Sequence, residues 1–213
     1  MGEITATMVK ALRDQTGAGM MDAKRALEAN DGDFERANDW LRAKGIARAA
    51  EKSGRATNEG LVHAYIHSSG GVARVGALVE LDCETDFVAK TDDFKHLAHT
   101  IAQHIVGVAP RYLRREDVPA DLVEREKAVY REQVKGKPEH VVDKILEGKL
   151  NDFYSKVCLL EQPWIKDDKK RIGDLVTESV AALKENITVA RFVRFAVGED
   201  WEPGDGLAQP SAR

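Results

Sequence analysis

Apolar positions follow two rhythms along this chain, and the change from one to the other marks out its parts. Near the start the spacing is helical. Ile4, Met8, Val9 and Leu12 fall on one face, with Thr5 as a cap, and the run stops before Thr16-Gly17-Ala18-Gly19, a tight corner. The spacing predicts a second helix from about Met20 to Ala29, packed through Ala23, Ala26 and Leu27. A third begins after Asp31-Gly32-Asp33, carries Phe34, Ala37, Trp40 and Leu41, and closes at Gly45. Three such helices can close a small core. Ala47 to Gly60, rich in Ala, Arg, Lys, Ser and Gly without a clear period, reads as a linker or a frayed helix. The expected organisation is therefore a three-helix domain with linker over 1–54, a body over 55–198 and a tail over 199–213.

The body opens in the other rhythm. Leu61 to His67 and Val72 to Leu81 alternate with period two and flank Ser68-Ser69-Gly70-Gly71, a turn suited to an antiparallel hairpin. A third strand is expected from Thr188 to Val197. Helices lie between. Phe94, Leu97, Ala98, Ile101, Ala102 and Ile105 form one stripe, capped by Thr91 and stopped by Gly107. Leu122 to Val134 is weakly amphipathic, and Val141 to Leu160 is apolar at Leu146, Leu150, Phe153, Val157 and Leu160 until Gln162-Pro163 breaks it. Ile172, Leu175, Val176, Val180 and Leu183 define one more helix. The tail from Glu199, with Trp201, Pro203, Gly204, Gly206 and Pro210, has no period and reads as disordered.

The class expected is thus α+β: three helices, then a three-stranded antiparallel sheet with several helices. The strands carry apolar groups on both faces, with Leu61, Tyr65 and Leu78 expected opposite Val62, Ala64, Ile66 and Val79, and Phe192 opposite Phe195. A small sheet with a second apolar face needs a second cover, and a partner sheet from another copy supplies one, so a homodimer is expected. The alternative is that local helices cover both sides.

Composition narrows the function. At 213 residues and 43% apolar content the chain can bury a substantial core, and no run approaches the ~18 apolar residues of a membrane span. The start, Met1-Gly2-Glu3-Ile4-Thr5, lacks a signal-peptide pattern, so the expected location is the cytoplasm. A net charge of −4 with mixed signs argues against gripping a nucleic-acid backbone. Cys83 and Cys158 form no CxxC pair and read as small core residues in a reducing compartment.

Catalytic signatures are missing. Gly17-Ala18-Gly19 followed by Lys24 lacks the Gly-Lys-Ser/Thr of a phosphate loop and follows a helix, so a helix-to-helix turn is the better account. His63 and His67 share a strand face but stand roughly 13 Å apart, too far for one metal ion. His96, His99 and His104 lack a completing carboxylate or Cys. The acidic run Glu80, Asp82, Glu84 and Asp86 reads as a solvated edge before it reads as a carboxylate or Mg²⁺ site. No catalytic residue, metal or cofactor is expected, and a binding protein is what remains.

At the exit of the second strand stands Thr85-Asp86-Phe87-Val88. Thr85 can cap a new turn, Asp86 suits its positive end, and Phe87 falls in the first turn. Such a ring is either offered to another protein's pocket or anchors the core beneath a loop; periodicity does not choose between them.

Four blocks of the sequence resemble the bacterial elongation factor Ts family: Leu12 to Leu27 around Thr16-Gly17-Ala18-Gly19, Cys83-Glu84-Thr85-Asp86-Phe87-Val88-Ala89-Lys90, Lys144 to Leu150, and Ile187 to Phe195. Together they span nearly the whole chain. The resemblance implies a ubiquitin-associated-like three-helix module, an α+β body and a guanine-nucleotide exchange activity toward elongation factor Tu. It implies that Asp86 and Phe87, within Thr85 to Val88, enter a pocket near the Mg²⁺ and phosphate site of that GTPase, and that Arg13, Met20 and Met21 contact one of its helices. For the two Met residues core packing is the competing account. The chain departs from the family at Ala23, where Cys is frequent, and at Lys184, where Gly often precedes Glu-Asn-Ile; neither position is expected to touch the contact. Many members are longer, with a second core subdomain and a coiled-coil insertion for which there is no room here, and similar short members pair through their sheets. A different class of function, a dimeric adaptor whose three-helix domain binds ubiquitin-like or nascent polypeptides, leaves the Asp86-Phe87 corner idle.

Overall fold

A computed structural model describes residues 4–16, 18–135 and 138–199. Apart from Glu199, which pairs with Arg194, the disorder expected of the tail, including Trp201, and the role of Gly17 lie outside the described residues. The chain divides into two compact units: the described parts of Met1–Gly60 with Asp82–Phe94 and Leu175–Thr188, and Leu61–Leu81 with Lys95–Asp174 and the described residues that follow Val189.

The first unit begins with helices α1 (Ala6–Thr16), α2 (Met20–Ala29) and α3 (Phe34–Lys52). Their apolar faces meet in a core of Val9, Leu12, Ala23, Ala26, Leu27 and Ala37, the positions the helical spacing selects. Thr5 caps α1 by accepting the Met8 N–H at 3.3 Å, and Asp33 caps α3 by accepting the Arg36 N–H at 3.0 Å. The third helix does not close at Gly45 but runs on to Lys52, through much of the expected linker. Gly45 lies inside this helix, facing Ala181 of helix α8 (Ile172–Leu183), where a Cβ would stand at an ordinary contact distance of 3.4 Å from the Ala181 Cβ. Farther along α3, the Arg48 guanidinium forks onto the Asp22 carboxylate at 3.0 and 3.1 Å and holds that carboxyl below its ordinary range.

Strands β1 (Glu59–Ser69), β2 (Val72–Cys83) and β5 (Ile187–Ala196) form a three-stranded antiparallel sheet in the order β1-β2-β5. Gly70 and Gly71 join the first two with φ of 60° and 80°, the two left-handed residues that a tight hairpin turn requires. Within the second unit the sheet has one covered face and one bare face. Val79 and Ala77 are buried, and His99 of helix α5 (Asp92–Val108) packs edge-on against His63 and Tyr65. The other face presents Val62 (65% exposed), Ile66 (64%), Leu78 and Phe195 (63%). This corrects the expected pairing of faces: Leu78 stands with Val62 and Ile66, and Val79 with Leu61 and Tyr65. The register set by the glycine turn places Gly76, two residues before Leu78, against Ile66, where a Cβ would lie 3.4 Å from the Ile66 Cγ1. Phe192 and Phe195 do face opposite ways, one buried and one exposed.

The second unit also holds helices α6 (Ala120–Gln133) and α7 (Glu139–Val157) and a small hairpin, β3 (Pro163–Trp164) and β4 (Asp167–Arg171), that the apolar pattern does not foretell. The seventh helix ends at Val157, before a 3₁₀ turn at Leu159–Glu161, rather than at Leu160. Among the described residues no helix is long and apolar enough to cross a membrane.

Candidate functional site

The Thr85–Val88 corner is built where β2 ends. Thr85 has extended backbone and its hydroxyl accepts the Val88 N–H at 3.4 Å, which caps the single helical turn α4 (Asp86–Ala89). Phe87 lies on this turn with 78% of its surface exposed, so it is no core anchor. The free protein forgoes the ~1.5–3 kcal/mol that burying such a ring supplies. Asp86 accepts a hydrogen bond from the Lys90 ammonium at 2.5 Å, one helical turn on, and the pairing raises the Lys90 pKa. Val88 is half-buried.

The corner is fastened from far along the chain. One carboxylate oxygen of Glu185 accepts the backbone N–H groups of Glu84 (3.1 Å) and Thr85 (3.0 Å), and the other accepts the Thr85 hydroxyl at 2.6 Å. In return the Glu84 carboxylate accepts the Asn186 N–H at 2.7 Å and a longer contact from Arg55 at 3.4 Å, while the Asn186 amide donates to the Arg55 carbonyl at 2.7 Å. Glu185, Asn186 and Arg55 are the residues sequence reasoning missed, and Glu84, read as part of a solvated acidic edge, is instead bonded to Asn186 and Arg55. The available signal was the polar Glu185-Asn186 pair directly before an apolar strand, but its partner stands 100 positions away. The departure at Lys184 is therefore closer to the corner than expected, since Lys184 precedes the residue that holds it.

Arg13 is exposed on the last turn of α1, and Met20 (47% exposed) and Met21 (59%) open α2 after Gly19. Both Met side chains thus point away from the small helical core, which takes its side chains from Ala23, Ala26 and Leu27 of the same helix. Arg13, Met20, Met21 and Thr85 to Val88 all belong to the first unit.

Other polar clusters have structural partners. Glu80 is paired with Arg191, so members of the acidic run are engaged singly rather than converging. His63 and His99 meet at 3.1 Å, and among the described residues no group of three His, Cys, Asp or Glu converges to hold a metal ion. Burial pushes the Cys83 thiol up to about 11, with the Glu185 charge adding to it, and the Cys158 thiol up to about 12, so both behave as small core groups.

A family model described as elongation factor TS matches residues 45–199. The elongation factor Ts of Thermotoga neapolitana is 52% identical over 198 residues, covering 93% of this chain and 99% of that protein. That of Coprothermobacter proteolyticus is 55% identical over 199 residues, covering 92% and 100%. The Desulfosudis oleivorans protein of the same name is 54% identical over 201 residues, covering 93% and 100%.

Proposed function

The chain belongs to the elongation factor Ts family, and on that premise we propose that it is a cytoplasmic guanine-nucleotide exchange factor for elongation factor Tu, working by contact alone with no covalent step. The observation that carries the reading is the Phe87 ring, 78% exposed on a turn whose cap is pinned from a distant part of the fold.

Exchange of this kind is thermodynamic coupling. A factor that binds the nucleotide-free GTPase more tightly weakens nucleotide binding by the same ratio that nucleotide weakens its own. Burying Phe87 in a pocket of the partner supplies ~1.5–3 kcal/mol, about ten- to a hundredfold in affinity. Asp86 brings a carboxylate beside the ring, where a Mg²⁺ ion and phosphates are held, and its bond to Lys90 is exposed enough to be exchanged for a partner's groups. Met20 and Met21, flexible and exposed, supply a second handle with Arg13 at its edge. Two contacts on one target allow strain that neither produces alone.

The bare sheet face fits the second part of the proposal, a homodimer. Val62, Ile66, Leu78 and Phe195 offer an apolar surface of the kind that sheet-on-sheet packing covers.

Stopped-flow measurement of labelled GDP leaving elongation factor Tu tests the wedge. Phe87→Ala is expected to slow stimulated release by about ten- to a hundredfold. Release as fast as with the unaltered protein removes Phe87 from the mechanism.

A further inference from the structure

We infer that Glu185 is the positioning residue that aims Phe87, a role that rests on the exchange reading above. The turn carrying Phe87 is only four residues long, too short to hold its own geometry in water, so something outside it must impose the conformation. Glu185 is placed to do so. Its carboxylate gathers three donors, the N–H groups of Glu84 and Thr85 and the Thr85 hydroxyl, at 3.1, 3.0 and 2.6 Å. The Thr85 hydroxyl that donates to Glu185 is also the oxygen that accepts the Val88 N–H and starts the turn. One carboxylate therefore fixes both the entry of the chain into the turn and the group that caps it.

The chain is bent to bring this about. Lys184, immediately before Glu185, holds φ at 61°, a conformation an L side chain adopts only against a steric penalty. Asn186 on the other side gives its backbone N–H to Glu84 at 2.7 Å, so strand exit and strand entry clasp each other reciprocally. Glu185 touches no partner in this account. Its effect is that the ring arrives already ordered, and no freedom of the turn is lost at insertion.

The chemistry singles out a carboxylate. All three of its partners donate, so glutamine can satisfy them only by turning its amide oxygen to the two backbone groups and its NH₂ to the Thr85 oxygen. Alanine satisfies none.

A double-mutant cycle tests the role: GDP release from elongation factor Tu is measured against factor concentration for the unaltered protein, Phe87→Ala, Glu185→Ala, Glu185→Gln and Phe87→Ala with Glu185→Ala. Glu185→Ala is expected to lower the saturating release rate about tenfold while the half-saturating concentration moves less than about twofold, because the Met20 and Met21 contact is untouched. Glu185→Gln is expected to fall between. The double variant is expected to be no slower than Phe87→Ala alone, since Glu185 acts through that ring. Glu185→Ala at the unaltered rate, or a double variant slower by the product of the two single effects, overturns the inference. Phe87→Ala at the unaltered rate sinks the exchange reading itself, a separate outcome. Where Glu185→Ala fails to fold by circular dichroism, the cycle is run with Glu185→Gln, of which the same non-additivity is required.

Discussion

Lys184 carries a cost that can be measured. Its φ of 61° brings a Cβ near the following carbonyl, a penalty of about 1–2 kcal/mol that glycine escapes. Glycine also frees the unfolded chain by about 0.4–1 kcal/mol, so Lys184→Gly is expected to stabilise the protein by about 0.5–1 kcal/mol in urea unfolding. An unchanged or lower midpoint contradicts the strain. At this scale the Thr85 cap and the Phe87 turn were legible in the sequence because cap, charge and ring are neighbours. Glu185 was not, because its bonds to Glu84 and Thr85 join residues 101 and 100 positions apart and no local pattern records them.

Helix α5 is tied to its surroundings by a buried histidine. The Ile165 N–H donates to His104 Nδ1 at 3.4 Å, so the proton resides on Nε2 and is donated to the Gln162 side-chain oxygen at 3.0 Å; Gln162 in turn donates to the Lys156 carbonyl at 2.7 Å. Burial lowers the His104 pKa. The folded protein then binds fewer protons than the unfolded chain below about pH 6.5, so this contribution is complete above that value and is lost as pH falls toward the depressed folded pKa. Urea unfolding from about pH 7.5 to 5.5 is expected to show stability falling with acid, and His104→Leu to flatten the fall; an unchanged slope overturns the assignment. His63, lowered by burial and by His99, contributes with the same sign, so the flattening is partial. The stripe that makes α5 a helix was legible, since it needs only Phe94 to Ile105 and a cap. The continuation of α3 past Gly45 was not, because what packs against that part of the helix, Ala181, belongs to another helix far along the chain. The β3–β4 hairpin escaped for a different reason: Asp167 to Arg171 is charged throughout and has no apolar alternation to read.

For the molecule as a whole, the bare sheet face is where the proposed dimer is tested. Ile66→Asp places a charge among Val62, Leu78 and Phe195 and is expected to shift the mass in sedimentation equilibrium from about twice 23.5 kDa to 23.5 kDa without loss of circular dichroism. An unaltered protein that sediments as a single chain contradicts the dimer. That both faces are apolar was legible from alternation in each strand, whereas which residues share a face was not, because register is fixed by the turn between strands rather than within either one. The unit that holds Met20, Met21 and Phe87 is assembled from three stretches of chain, the amino-terminal helices, Asp82–Phe94 and Leu175–Thr188. A gene fragment ending after α3 would therefore encode the methionine pair without Phe87, and transplanting both proposed contacts onto a different scaffold would demand three splices instead of one.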